Sequence, residues 1–266
     1  MLTFLKFSKM HALGNDFVII DRLTHSFFID PTVIKSLANR KTGIGFDQLL
    51  VLEAPLDPHH DFSYQVFNSN GTSAKQCLNG LRCLAQYIHD HGLHSEKKLR
   101  MQTHYQSINC EILSSSVVKL YLETQESSGN KYIEKLSLNS GIVSDYVTVG
   151  NDHIICWDVI KEEKTKKLNE LKIEGYTNDK VNISFANRGN NIIFIETFER
   201  GVGKTLSCGS AAVACFLAYI ERFEKVSSMR LQSQIGYVTV SKQQDHLCLI
   251  GPVTRVFNGE FALRYY

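Results

Sequence analysis

Two cysteines in similar local sequences are the residues of this chain best suited to chemistry. Cys77 and Cys208 each follow a polar stretch that contains glycine, and each precedes an apolar run with helical spacing. Each is therefore expected near the start of a helix. The amide groups and dipole of a helix N-terminus favour a thiolate, lower a thiol pKa by at most about 1.5 units, and bind anions such as carboxylates.

A thiolate and a thiol on opposite faces of one carbon are the groups needed to invert a stereocentre. One removes a proton and the other returns one, and the pair shares about one proton because two close thiolates repel. The sequence contains no lysine-bearing cofactor motif, so we expect a reaction without a cofactor. The residues alone leave a second interpretation open, in which both cysteines are small core residues.

An internal repeat relates the two halves of the chain. The sequence Gly14-Asn15-Asp16 before an apolar run recurs as Gly150-Asn151-Asp152, 136 positions later, and the two cysteines are 131 positions apart. Two matches at nearly equal offset predict two similar α+β domains. A pseudo-twofold arrangement would point the cysteines at each other across a cleft, and we expect a linker at residues 126–130.

The elements that must position these cysteines follow from hydrophobic periodicity. Helices are predicted over 31–39, from residue 79 or 80 to Gly92, and over 211–220, the last buried on all sides. The charged run 161–167 predicts a solvated helix face. Strands are predicted at 17–20, within 43–52, at 64–67, 106–113, 117–123, near Leu136, and at 146–149, 181–185, 191–198, 238–240 and 247–250, and residues 10–16 are expected to form a polar turn.

Composition excludes several classes of protein. The chain has 266 residues, 43% hydrophobic and 21% charged, and its net charge of +2 gives no reason to expect nucleic-acid binding. It has no apolar run of the roughly 20 residues that a membrane span needs, and residues 1–7 are too short for a signal peptide, so we expect a cytoplasmic protein. The seven cysteines include no C-x-x-C pair, which argues against zinc or iron–sulfur sites and predicts free thiols.

Two other motifs are weaker. Gly201-Val202-Gly203-Lys204-Thr205 looks like part of a phosphate-binding loop, but Phe198 stands where that loop requires its first glycine. Nucleotide binding is therefore not predicted. Two groups of histidines lack cysteine or carboxylate partners at ligand spacing, so no metal site is predicted; they are His59 and His60, and His89, His91 and His94.

Six ordered stretches resemble the diaminopimelate epimerases, which are cofactor-independent two-cysteine enzymes. They cover residues 9–17, 43–48, 68–82, 150–153, 181–182 and 199–210, and residues 251–253 resemble the final return strand of that family. The resemblance implies two pseudo-symmetric α+β domains, each a curved mixed sheet or barrel around a central apolar helix, with the active site in the cleft between them. The domains would comprise residues 1–126, completed by 253–266, and 127–252.

The same resemblance implies a PLP-independent isomerase that interconverts LL- and meso-diaminopimelate for lysine and peptidoglycan precursor synthesis, as a cytoplasmic homodimer. Cys77 and Cys208 would be the acid/base pair. Asn79 and Ser210, with the backbone N–H groups of Leu78 and Gly209, would hold the carboxylate at the reacting carbon. The distal end of the substrate would be held by Asn68, Asn151, Asn182 and Arg200. Asn15 and Gln48 would line the pocket, and His153 and Glu199 would assist the thiols or bind the amino groups.

The chain departs from the family at several positions. The family usually has glycine at Leu78 and Ala211, proline at Asp152, glutamate at Lys204 and aspartate at Asn70. Both thiols and the distal-end residues are kept. The alternatives are a related two-cysteine racemase for another amino acid, such as histidine or hydroxyproline, and a non-catalytic descendant with a binding or redox role.

Overall fold

The computed structural model describes residues 3–23, 30–123, 133–137, 141, 143–177, 179–243 and 246–263. The chain divides into two compact units, one comprising Met1–Tyr121 and Gly251–Tyr266 and the other Leu122–Ile250. The predicted linker at 126–130 lies outside the described residues. The predicted domain boundaries after residues 126 and 252 stay predictions.

The described residues form eighteen strands and four α-helices. In chain order they are β1 (Thr3–Ala12), β2 (Asn15–Asp21), α1 (Pro31–Ala38), β3 (Gln48–Glu53), β4 (Phe62–Asn68), β5 (Ser73–Ala74), α2 (Leu78–Asp90), β6 (Lys98–Gln102), β7 (Ser107–Ser114), β8 (Val117–Glu123), β9 (Ile133–Ser137), β10 (Val143–Val149), β11 (Asn151–Trp157), α3 (Lys164–Ile173), β12 (Asn182–Gly189), β13 (Ile192–Glu199), β14 (Gly203–Thr205), α4 (Gly209–Arg222), β15 (Ser228–Ser233), β16 (Gly236–Gln243), β17 (His246–Pro252) and β18 (Thr254–Leu263). No described helix is long and apolar enough to cross a membrane.

The first unit is a mixed sheet with the order β18-β1-β2-β3-β4-β6-β7-β8. The β2–β3 and β4–β6 pairs are parallel, the other pairs are antiparallel, and short β5 also pairs with β4. Helix α2 contacts β1, β2, β3 and β7, so the sheet curves around it. The opposite face of β1, β2 and β3 packs against α1. Because both faces of the sheet are covered here, the sequences of β2 and β3 are nearly continuous apolar runs.

The second unit has the same construction. Its sheet runs β9-β10-β11-β12-β13-β15-β16-β17, with β11–β12 and β13–β15 parallel and β14 paired to β13. Helix α4 contacts β10, β11, β12, β15 and β16, while α3 packs against the other face of β11 and β12. The predicted repeat of two similar α+β units is therefore confirmed.

The repeated glycines have a conformational reason. Gly14 and Gly150 lie between β1 and β2 and between β10 and β11, with φ angles of 80° and 67°. This left-handed region costs glycine little, whereas a side chain would strain it. The motif thus marks the tight turn between two antiparallel strands of each unit, directly before the asparagines of the candidate site.

Most predicted elements are confirmed, with four corrections. Residues 10–12 belong to β1 and residues 15–16 to β2, so only residues 13–14 of the predicted polar turn form one. Helix α2 begins at Leu78, just before the predicted start. The last turn of α4 is not buried on all sides, because Tyr219 and Ile220 are half-exposed where the helix nears the surface. The charged run is not wholly solvated either, since Lys164 lies over the Phe185 ring and is mostly buried.

Candidate active site

The first candidate thiol caps the central helix of its unit. Cys77 has an extended backbone immediately before α2, and its Sγ accepts the N–H of Gly80 at 3.3 Å. This sulfur also lies 3.9 Å from Asn15 Oδ1. All seven cysteines are free, as predicted, and Cys77 is half-buried whereas the other six are buried. Cys77 is therefore the most solvent-accessible of the thiols.

Two amide side chains next to Cys77 are fixed by hydrogen bonds. Asn79 Nδ2 donates to Asn15 Oδ1 at 3.2 Å, and Asn15 Nδ2 donates to Asp47 Oδ2 at 3.0 Å. Arg82 Nη2 donates to Asn79 Oδ1 at 2.9 Å. Asn15, Cys77 and Asn79, all predicted from the sequence, thus lie together in one network. Asp47 and Arg82 belong to it but were not predicted.

An ion-pair network supports the Asn15 end of this site. Arg40 contacts Asp16 and Asp47 at 2.7 and 2.8 Å, and Lys9 contacts Asp16 at 2.6 Å. Burial raises the pKa of Asp16, but the hydrogen bonds from Arg40 and Lys9 outweigh it, so that pKa lies well below its usual value. Burial raises the pKa of Asp47, against the hydrogen bond from Asn15. The turn that carries Asn15 is thereby held in place.

The remaining predicted residues of this unit lie close to the same network. Gln48 and Asn68 are opposite each other on β3 and β4, and Gln48 Nε2 donates to Asn68 Oδ1 at 3.0 Å. Asn68 Nδ2 in turn donates to Thr72 Oγ1 at 3.1 Å. Leu78, which stands where the family usually has glycine, is buried. Its bulk therefore lies within the protein core rather than in solvent.

The second candidate thiol belongs to the N-cap residue of α4 but has a different environment. Cys208 is 7% exposed, and its Sγ lies 3.4 Å from Ser210 Oγ. Burial raises the pKa of the Cys208 thiol well above its usual value, and the negative charge of Glu199 raises it further. Ser210 and the Ala211 N–H act in the opposite direction. Glu199 is held by Thr205, whose hydroxyl donates to it at 2.6 Å.

Among the predicted distal-end residues of this unit, Asn182 contacts Arg200. Its Oδ1 accepts the backbone N–H of Arg200 at 2.8 Å, and its Nδ2 donates to the Asp152 carbonyl at 3.2 Å. The Arg200 residue is exposed. Asn151 opens β11 and is half-exposed, while Gly209 is the buried first residue of α4. The side-chain amide of Asn182 thus positions backbone groups.

His153 is fully buried beside Asn182 in the parallel β11–β12 register. Among the described residues, neither of its ring nitrogens has a hydrogen-bond partner. Burial lowers its pKa to about 3; the charge of Asp152 opposes this shift and that of Arg200 adds to it. The imidazole is therefore neutral at pH 7, and any support that it gives a thiol is that of a neutral ring.

The departures at Lys204 and Asp152 have local explanations. Lys204 Nζ lies 3.2 Å from Glu196 Oε2, which Lys164 also approaches at 3.5 Å. Its charge is thus balanced by a carboxylate on the neighbouring strand β13. Asp152 Oδ1 accepts the hydroxyl of Thr148 at 2.9 Å.

Asp47 and Arg82 are the residues that the sequence interpretation missed. The sequence contained a signal for each: Asp47 directly precedes the predicted site residue Gln48, and Arg82 interrupts the apolar face of the α2 sequence. Within the ranges that the structure describes, no group of three or more His, Cys, Asp or Glu side chains is arranged to hold a metal ion.

Comparison with known proteins decides the family. The sequence profile of the family described as diaminopimelate epimerase matches residues 7–121 and 144–256. The chain belongs to the diaminopimelate epimerase family. Curated diaminopimelate epimerases of Acinetobacter baumannii and Acinetobacter baylyi are 30% and 31% identical to it, and each alignment covers 98% of this chain and 99% of the relative. The predicted enzyme class, an isomerase of the epimerase type, is confirmed.

Solved structures show the same fold at low sequence identity. A hydroxyproline epimerase from Agrobacterium vitis superposes with a TM-score of 0.72 at 12% identity, covering 98% of this chain and 93% of that one. A phenazine biosynthesis protein of the PhzF family from Enterococcus faecalis gives a TM-score of 0.71 at 10% identity, covering 98% and 100%. The predicted fold class, α+β with two units of similar construction, is confirmed.

Proposed function

We propose that the chain interconverts LL- and meso-diaminopimelate without a cofactor, with Cys77 and Cys208 as the acid/base pair. One observation carries the proposal: each cysteine is the N-cap of the central helix of its unit, at corresponding positions of two units with the same strand order. The match to diaminopimelate epimerases over nearly the whole chain supports the substrate.

The environments of the thiols suggest their resting protonation states. Cys208 lies buried beside the Glu199 carboxylate, which favours the neutral thiol. Cys77 is half-buried and accepts the Gly80 N–H, which favours the thiolate. In one direction the Cys77 thiolate takes the α-proton while the Cys208 thiol gives its proton to the opposite face of the carbon. The reverse reaction starts from the exchanged state, and nothing is oxidised or reduced.

The first turns of both helices would hold the carboxylate at the reacting carbon. Backbone N–H groups at a helix N-terminus bind anions, and Asn79 and Ser210 add polar side chains there. At the distal end, the exposed Arg200 offers a planar guanidinium to the second carboxylate, together with Asn68 and Asn151. Asn182 would contribute by fixing the Arg200 backbone. Gln48 and Asn15 would line the same pocket.

The proposed role includes lysine and peptidoglycan precursor synthesis in the cytoplasm, with the chain acting as a homodimer.

Hydrogen–deuterium exchange tests the reaction directly. The chain is incubated with LL-diaminopimelate in deuterated water, and we expect deuterium at one α-carbon together with formation of the meso isomer. Cys77→Ala and Cys208→Ala should each abolish both. Cys83→Ala and Cys215→Ala are matched controls, since these buried cysteines lie on the same two helices, and both should retain exchange.

Three outcomes would overturn parts of the proposal. Exchange that survives both Cys77→Ala and Cys208→Ala would refute the two-cysteine mechanism. Exchange with histidine or hydroxyproline, but not with diaminopimelate, would refute the substrate and keep the chemistry. No exchange with any of these amino acids would favour a non-catalytic role.

A further inference from the structure

Arg82 is a fully buried guanidinium in the second turn of α2, five residues after Cys77. Its Nη2 donates to Asn79 Oδ1 at 2.9 Å. Among the described residues, its Nε and Nη1 atoms have no hydrogen-bond partner. A buried charge is strongly unfavourable unless an opposite charge and hydrogen bonds compensate it. The immediate surroundings of Arg82 should therefore contain, or acquire, a negative charge.

Most titratable groups around Arg82 and Cys77 are neutral at pH 7. Burial raises the pKa of Cys83 on the same helix, of Tyr64 on β4 and of Cys110 on β7. Burial also lowers the pKa of Arg82 to about 10, while the charges of Cys83 and Cys77 act in the opposite direction. Arg82 thus stays protonated at neutral pH, and Cys77 is the nearby thiol that is not fully buried.

The Asp47 carboxylate is the other acidic group of the site, but it is already paired. It contacts Arg40 at 2.8 Å and accepts the Asn15 amide at 3.0 Å. Among the described residues, the hydrogen bonds that join it to Arg82 run through the side chains of Asn15 and Asn79. A thiolate at Cys77 is therefore the better candidate for balancing the buried guanidinium.

The repeat indicates that the fold itself does not need this cation. Five residues after Cys208, the corresponding position of α4 holds Val213, which is also fully buried. The two central helices thus place an apolar and a cationic side chain at equivalent positions. The dipole of α2 also disfavours a cation near its N-terminus. Packing and helix electrostatics therefore give no reason for Arg82.

We propose that Arg82 is a positioning residue for the Cys77 thiolate: its guanidinium supplies the positive charge that the thiolate requires and holds Asn79 in place. A helical side chain leans toward the N-terminus, which directs Arg82 toward the turn that carries the thiol. Through Asn79 it also orients Asn15, whose oxygen contacts the Cys77 sulfur. The inference deepens the proposed function, because it rests on Cys77 acting as the thiolate.

The pH dependence of Cys77 alkylation tests this role without any substrate. Iodoacetamide reacts with the thiolate, and peptide mass spectrometry follows Cys77 separately from the six buried cysteines. In Arg82→Met and Arg82→Gln, we expect the midpoint of alkylation to rise by about 1 pH unit or more, with roughly tenfold slower reaction below the midpoint. Arg82→Lys keeps the charge and should stay within about half a unit of the original midpoint.

Gln86→Met is the matched control. Gln86 is a buried polar residue one turn further along α2, and it is uncharged. This variant should keep the original alkylation midpoint. Circular dichroism, together with unreactive Cys83 and Cys110, would show that each variant remains folded.

An unchanged alkylation midpoint in a folded Arg82→Met or Arg82→Gln variant would overturn the proposal, whether or not diaminopimelate is the substrate. If neither variant folds, the unmodified chain and Cys77→Ser are compared by urea unfolding between pH 6 and 9. A thiolate favoured by folding makes stability rise more steeply with pH in the unmodified chain than in Cys77→Ser. Equal pH dependence of the two would overturn the proposal.

Discussion

Replacement of His153 should remove a pH dependence from the stability of the chain. Burial lowers its pKa from an ordinary 6.5 to about 3, so the folded chain keeps the ring neutral. The unfolded chain binds a proton to this ring below about pH 6.5. Between these values the unfolded state holds more protons, and the free energy of unfolding must fall as the pH falls. His153→Gln removes the titrating group.

The expected magnitude follows from that difference in pKa. At pH 5 the unfolded state gains about 2 kcal/mol from protonation of His153, whereas at pH 7 it gains about 0.2 kcal/mol. From pH 7 to pH 5, the unmodified chain should therefore lose about 2 kcal/mol more stability than His153→Gln. Trp157, the single tryptophan, is buried on the same strand and provides a fluorescence signal for urea unfolding.

Comparing how the free energy of unfolding changes with pH in the two proteins cancels the effects that both proteins share. Carboxylates with lowered pKa values, such as Asp16, titrate alike in both proteins. A constant cost of the His153→Gln substitution leaves the difference in pH dependence unchanged. Nuclear magnetic resonance titration of the ring gives a direct control. Parallel stability curves from pH 7 to pH 5 would refute the reasoning, because they would mean that folding does not suppress protonation of His153.

Two further substitutions, with Arg188→Met as a control, test how the central helices are held. Arg222→Met should cost about 3–5 kcal/mol in urea unfolding, because the Asp145 carboxylate, 1% exposed and now paired with Arg222 at 2.7 Å, loses its opposite charge and keeps the hydrogen bond from Trp157 Nε1. Arg188→Met breaks an exposed ion pair and should cost no more than about 1 kcal/mol, so equal costs would contradict the role of burial. Gly80→Ala puts a Cβ 3.0 Å from Leu50 Cδ2, which displaces the first turn of α2. Deuterium exchange at the α-carbon of diaminopimelate should therefore slow by roughly 10- to 100-fold. An unchanged rate of this exchange would mean that the turn tolerates the shift.

The sequence predicted elements whose signals are local. The apolar runs of β2 and β3 and the proline at the start of α1 determine those elements almost by themselves. The start of α2 was placed too late because cysteine is not among the residue types that usually cap helices. Strand β18 was missed because its sequence lacks a regular apolar alternation and its partner β1 lies at the other end of the sequence.

The polar network of the site was less predictable than its thiols. An arginine within a helix most often points to solvent, so only tertiary packing reveals that Arg82 is buried. The ion pair between Lys204 and Glu196 joins neighbouring strands, and its existence depends on the register of β13 and β14. In both cases the residue types were visible, but the environment that gives them a role depends on long-range pairing.

Each unit places a cysteine at the N-cap of its central helix, but the charges around the two cysteines differ. Asn68 ends β4, while Glu199, 131 positions later, ends β13, so a neutral amide in one unit corresponds to a carboxylate in the other. The carboxylate raises the pKa of its neighbouring thiol. The central helices differ in charge as well: the buried cation Arg82 of the first unit corresponds to the buried, uncharged Val213 of the second.

Both differences act in the same direction. A positive charge in the first unit favours a thiolate, and a negative charge in the second favours a thiol. If these cysteines are the proposed acid/base pair, the charges favour one of its two protonation states at rest, and the reverse reaction starts from the less populated, exchanged state. We infer that divergence at these two pairs of positions, rather than at the cysteines, made the two thiols of a repeated structure unequal as proton acceptors.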